Sequence, residues 1–189
     1  MNEAQKRNID LLNSIKDGFK YDKKEYENIV KNSSEILMSK TNNVSFFGMF
    51  LPCEKLQEIF IYKGKLVKDE SKSDFVYYFD KNKRLVLTKR QFGKDEKSLI
   101  FYYYHDSHID MVWFDALHNR ISLVGRIEIP DGILTRWLLG DIIRENTIIS
   151  YYEYLFTVKQ GEVLKKTFSS FKGIGELESE SSFTKFQGA

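Results

Sequence analysis

The chain has 189 residues, of which 42% are hydrophobic, 30% charged and 15% aromatic, enough to bury the core of one domain. Its 29 basic and 27 acidic residues leave a net charge of +2, which argues against the positive field that nucleic-acid binders direct at phosphate. A single cysteine, Cys53, excludes an internal disulfide and a cysteine-rich zinc site.

The first residues, MNEAQKRNIDLLNSIKDG, hold no apolar run of the signal-peptide kind. No apolar stretch approaches the roughly 20 residues of a membrane span. A cytoplasmic location without a membrane partner is the expectation. Residues 3–16 read as a helix, with Ile9, Leu12 and Ile15 on one stripe and Gly18 as its stop. A second helix is expected over 23–38, with Asp22 as N-cap and Glu25 three residues later, as in a capping box. VSFFGMFL is a short apolar run, and Pro52 interrupts it. Cys53 to Gln57 reads as one helical turn or an irregular link.

The period then shifts towards 2. EIFIY-KG-KLVKD, DFVYYFD-KNK-RLVLTKR and SLIFYYYH-DS-HIDMVWF read as hairpins. A loop at 115–119 leads to RISLVGRIEI, and PDG at 130–132 marks a turn. ILTRWLLGDIIREN is expected to be a helix over 132–145, capped by Asp131. TIISYYEYLFTVKQ, a Gln160-Gly161 turn and EVLKKTFSSF complete the β region. The expected class is α+β: an antiparallel meander-like sheet of seven to nine strands, with N-terminal helices packed on one face. One domain spans 1–172, and 173–189 is expected to be a poorly ordered tail. YYFDKNKRLVL and MVWFDALHNRISLV echo each other, each placing an Asp-started turn before Arg and an aliphatic run. Hairpin physics alone accounts for that.

The segment IFYYYHDSHIDMVWF concentrates the candidate chemistry. His105 and His108 become cross-strand neighbours if Asp106-Ser107 is a hairpin turn, which makes metal binding geometrically possible. A polar hairpin end explains the same residues with no metal and no cofactor. Asp106, Asp110 and Asp115 are candidates for acid-base work only if two of them share a cleft. Asp106 and Asp115 read as turn residues, and Asp110 as a solvent-facing strand position. Cys53 has no histidine partner marked by sequence. FKGIGELE lacks the Lys-Ser/Thr ending of a phosphate loop. No residue is assigned a catalytic role.

A protein interface has better support. Tyr102, Tyr104, Trp113, Trp137 and Tyr151 exceed what a modest core needs, and Tyr and Trp anchor interfaces. Asp110 and Glu153 are placed at the rim of that face. In size and Lys/Asn/Ile/Tyr-rich composition the chain resembles the small immunity proteins of bacterial polymorphic toxin systems. The resemblance lies in general make-up, not in a motif, so no family residue is carried over. It implies a non-enzymatic module that binds and neutralises a toxin domain. The alternatives are a small hydrolase or metal/ligand-binding protein with a site near 105–110, and a homo-oligomeric structural protein.

Overall fold

The computed structural model describes residues 2–40, 47–60, 64–92, 96–143, 147–159, 162–172 and 176–184. Among them lie three α-helices, α1 (Glu3–Gly18), α2 (Lys23–Asn32) and α3 (Glu54–Ile59). Eleven strands follow the helical start: β1 (Glu35–Lys40), β2 (Lys65–Leu66), β3 (Phe75–Phe79), β4 (Leu85–Phe92), β5 (Glu96–Tyr104) and β6 (His108–Asp115), then β7 (Arg120–Glu128), β8 (Arg136–Ile143), β9 (Thr147–Lys159), β10 (Glu162–Lys172) and β11 (Glu176–Thr184). The class is α+β with antiparallel pairing. No helix among the described residues is long and apolar enough to cross a membrane.

The backbone divides into two compact units. The first comprises Met1–Phe19, Tyr104–Val112 and Ile121–Ala189, and the second Lys20–Tyr103 and Trp113–Arg120.

In the second unit the strand order is β2-β1-β3-β4-β5. Asp22 caps α2 by accepting from the Lys24 amide at 2.8 Å. Both faces of β3 are buried: Phe75 and Tyr77 on one, Val76 and Tyr78 on the other. Tyr77 is fully buried, and its hydroxyl accepts from the Met49 amide at 2.7 Å. The same oxygen lies 2.8 Å from the buried Ser39 hydroxyl. Gly48, at φ +73°, permits this approach, because a Cβ there would stand 2.0 Å from the Tyr77 hydroxyl. Two turns repeat one device. Asp80 accepts from the amides of Asn82 and Arg84, and Asp115 from those of Leu117 and His118. Each turn closes through a left-handed residue, Lys83 at φ 60° and Asn119 at φ 50°.

In the first unit the order is β6-β7-β8-β9-β10-β11. The Asn2 side chain and Gln5 form a capping box at the start of α1. α1 lies against β8 and β9, with Asn8, Leu12 and Ile15 buried. Leu12 reaches Gly140 so closely that a Cβ there would meet its Cδ1 at 2.9 Å. The helix therefore seats on the one β8 position without a side chain.

The strands number eleven among the described residues where seven to nine were expected, and four local expectations are corrected. The second helix stops at Asn32, because the Ser34 amide bonds the Phe79 carbonyl at 2.8 Å and draws 35–40 into β1. Residues 136–143 are β8, not a helix. They pair with β7 and β9 together, and Trp137, Leu138 and Leu139 are buried on both faces, the pattern of an interior strand. Asp131 caps nothing; it sits at φ 52° in a 3-10 turn. Glu58 and Ile59, expected in a strand, end α3. Residues 176–184, expected within a poorly ordered tail, form β11 on β10. The Gln160-Gly161 turn lies outside the described residues.

Replacing Tyr77 by Phe keeps the ring and removes the oxygen that serves Ser39 and Met49. Leaving such buried polar groups unpaired costs about 1–3 kcal/mol. Urea denaturation of Tyr77→Phe should show an unfolding free energy lower by that amount, seen as a lower midpoint with an unchanged slope.

Candidate functional site

The sequence places its convergent polar chemistry at one hairpin end. The His105 amide donates to the His108 carbonyl at 2.9 Å, so Asp106-Ser107 is a two-residue turn. A further bond from the Ile129 amide to the Ser107 carbonyl, at 2.8 Å, fixes the turn beside the end of β7. The imidazoles of His105 and His108 stack with ring centroids 4.3 Å apart at an interplanar angle of 16°. Asp110 lies two residues along β6 from His108, hence on the same face. Its Oδ2 is 3.5 Å from His105 Nε2 and 3.6 Å from His108 Nε2.

Arg126 on β7 completes the cluster. Its Nε donates to Asp110 Oδ1 at 2.6 Å, and its Nη2 to Oδ2 at 2.9 Å. The geometry is a bidentate guanidinium–carboxylate pair, the stronger form of a charged hydrogen bond. Both side chains are mostly buried, at 20% and 14% exposure. Burial pushes the His108 imidazole below its ordinary value of 6.5, and the Arg126 charge acts the same way. Asp110 and Glu128 oppose them. The imidazole is thus held towards its neutral form.

A second ionic group continues across β7, β8 and β9. Arg136 donates from Nε to Glu153 Oε1 at 2.8 Å and from Nη1 to Glu128 Oε1 at 3.1 Å. Its Nη2 reaches the Asn8 side-chain carbonyl on α1. Asn8 also donates to Glu153, at 3.4 Å. The arrangement ties α1 to the sheet, with every charge partnered.

The aromatic candidates are distributed differently from the sequence expectation. Tyr102, Trp113, Trp137 and Tyr151 are buried, so none can meet a partner without leaving the core. Trp137 stacks on Tyr154 at 5.5 Å, and Tyr151 on Phe171 at 4.4 Å. Trp113 packs edge-on to Phe47 and lies under the Arg90 guanidinium. Tyr104 is half-buried. Asp110 and Glu153 are joined to arginines and do not form an open rim. Asp115 is a turn cap, and its carboxylate also bonds His118 Nδ1 at 2.7 Å.

The basic run KRLVLTKR is divided: Lys83 and Arg84 are exposed, Lys89 is buried and Arg90 half-buried. Arg84 pairs with Asp80 at 2.7 Å, and the mostly buried Lys89 with Glu70 at 2.6 Å. Arg90 lies over Phe75 and Trp113, and desolvation pushes it down to about 10. A cleft of about 280 Å³ in the second unit is lined by Glu25, Asn28, Ile29, Asp80, Val86 and Tyr103. It is below the usual size of a small-molecule site.

Sequence reading missed Arg126, Arg136 and Asn8. Arg126 stands seven residues after the 115–119 turn and Asp110 five before it, so counting from the turn does not bring them together, and only the ion pair in the structure shows that they meet. No family model, curated protein or solved structure matches the chain.

Two outcomes follow from the cluster. Arg126→Ala strands a mostly buried carboxylate and should cost about 1.5–3 kcal/mol. The further change Asp110→Asn should then cost less than it does alone, because the pair acts as a unit. NMR titration of the ring protons should place the His108 midpoint below 6.5. A lowered folded value means that His108's contribution to stability is present above its unfolded value and is lost as pH falls through the folded one. A midpoint above 6.5 would mean that Asp110 outweighs burial and Arg126.

Proposed function

We propose that the chain is a non-enzymatic protein-binding module of the immunity type, which binds a bacterial toxin domain in the cytoplasm and neutralises it. The observation that carries this reading is the exposed apolar pair on β9, Ile149 at 37% and Leu155 at 46% exposure. Between them on the same strand stand the half-buried Tyr152, Glu153 and Tyr154. Tyr152 and Tyr154 alternate onto the face opposite Glu153 and Leu155, so the exposed aliphatic side chains themselves are what suit protein contact better than solvent.

Two further features support it over its rivals. The carboxylates offered for acid-base work do not pair: Asp110 is engaged by Arg126, and Asp115 caps a turn. Arg84, Lys89 and Arg90 of the basic run KRLVLTKR have internal partners, which leaves less of it to meet phosphate. The resemblance in size and composition to immunity proteins names the class of partner.

The test is capture by the immobilised chain from lysate of its source cells, with solution masses recorded for chain and complex. The expected partner binds one to one, inhibits growth when expressed alone, and is relieved by co-expression of this chain. The variant Ile149→Lys/Leu155→Lys should fold normally, since surface changes stay within about 0.5 kcal/mol. It should weaken the complex by about tenfold or more, as loss of interface anchors does. A partner whose toxicity is untouched by the chain overturns the immunity reading. A wild-type chain that is dimeric until these two residues are changed identifies self-association in its place.

A further inference from the structure

The geometry points to a binding site for one divalent transition-metal ion at His105, His108 and Asp110. The inference is independent of the partner proposed above. Each residue offers one ligand atom, and the three atoms lie within 4.8 Å of one another.

Two imidazoles and one carboxylate are a common three-residue donor set for such ions, leaving the remaining positions to water or an incoming group. An ion held about 2.0–2.1 Å from nitrogen and oxygen donors in a tetrahedron sets them roughly 3.4 Å apart. Asp110 Oδ2 already stands 3.5 and 3.6 Å from the two Nε2 atoms. Only the imidazoles must turn, from their stacked arrangement towards the ion. His105, 48% exposed at the turn end, has the most room to turn, and His108, 22% exposed, has less.

The surroundings are built rather than accidental. The two-residue turn sets the histidines side by side through the His105–His108 backbone bond. Arg126 holds the Asp110 carboxylate in place through both of its oxygens, the role that outer partners play around metal ligands. The arginine also fixes the selectivity. Its charge already neutralises the carboxylate, so a hard ion that depends on oxygen charge gains little here. Zinc, nickel, cobalt and copper, which take imidazole nitrogen, gain most. Magnesium and calcium are disfavoured on the same ground.

The experiment uses the full chain without an affinity tag, treated with chelator and then titrated calorimetrically with zinc, nickel or magnesium chloride. Zinc and nickel should each bind at one equivalent, and magnesium should give no heat at the same concentration. His105→Ala and His108→Ala should each lose more than the roughly 10–100-fold that removal of an outer-shell partner costs. Cys53→Ser and His118→Ala, the other residues with metal-binding atoms of this kind, should bind as the wild type does. In the unaltered chain, zinc should shift the ring resonances of His105 and His108 and leave His118 in place, a readout that needs no variant to fold. Absence of stoichiometric uptake at about 0.1 mM ion, uptake unchanged in the double histidine variant, or zinc shifts confined to His118 would each overturn the site.

Discussion

Backbone hydrogen bonding between neighbouring strands is the constraint on which the structure rests. A strand inside a sheet must have its amides and carbonyls satisfied on both edges. β8 meets that demand with β7 on one side and β9 on the other. Its two faces are largely covered as well, and Trp137, Leu138 and Leu139 are buried in succession. Gly140 finds its use in the same place, as the gap that admits Leu12 of α1. Pairing between sequence neighbours keeps the loops short, which limits the entropy lost on closing them.

That constraint also explains where the aromatic residues went. In β3 both faces are covered, so aromatics that look like a surplus on a one-sided sheet become core on a two-sided one. Tyr77 shows how a polar tip survives such burial, with its hydroxyl shared between Ser39 and the Met49 amide. Trp137 and Tyr151 stack on neighbours within their own unit. The surface is left with aliphatic side chains such as Ile149 and Leu155 as its apolar features, and these are the positions where a partner would gain most.

The polar groups obey a parallel rule. Charges taken mostly out of water are kept only when partnered. Asp110 with Arg126, and Arg136 with Glu128, Glu153 and Asn8, satisfy it. The histidines differ because they stand at the open end of a hairpin, where a side chain keeps freedom to turn. A carboxylate locked by arginine beside an exposed imidazole at His105 and a more buried one at His108 combines a fixed ligand with others close at hand. The same lock that removes Asp110 from acid-base chemistry makes it a well-placed first contact for an ion.

Local signals were legible from the sequence alone. The start of α1, the Asp22 cap, the Asp106-Ser107 turn, the Asp80 and Asp115 turns and the hairpin meander all follow from residues within a few positions of one another. The juxtaposition of His105 and His108 belongs to this group, since a two-residue turn dictates it. Tertiary structure decided the rest. Whether 136–143 is helix or strand turns on the partners at its edges, and an apolar run of that length is ambiguous without them. The end of α2 depends on Phe79, some forty-five residues away from Ser34. Arg126 locks Asp110 only once β6 and β7 have taken their register, and Arg136 ties α1 to β9 only because a helix far off in sequence lies on those strands. Short-range chemistry is written in short spacings. Burial on two faces, and the ion pairs it forces, exist only once the strands have met.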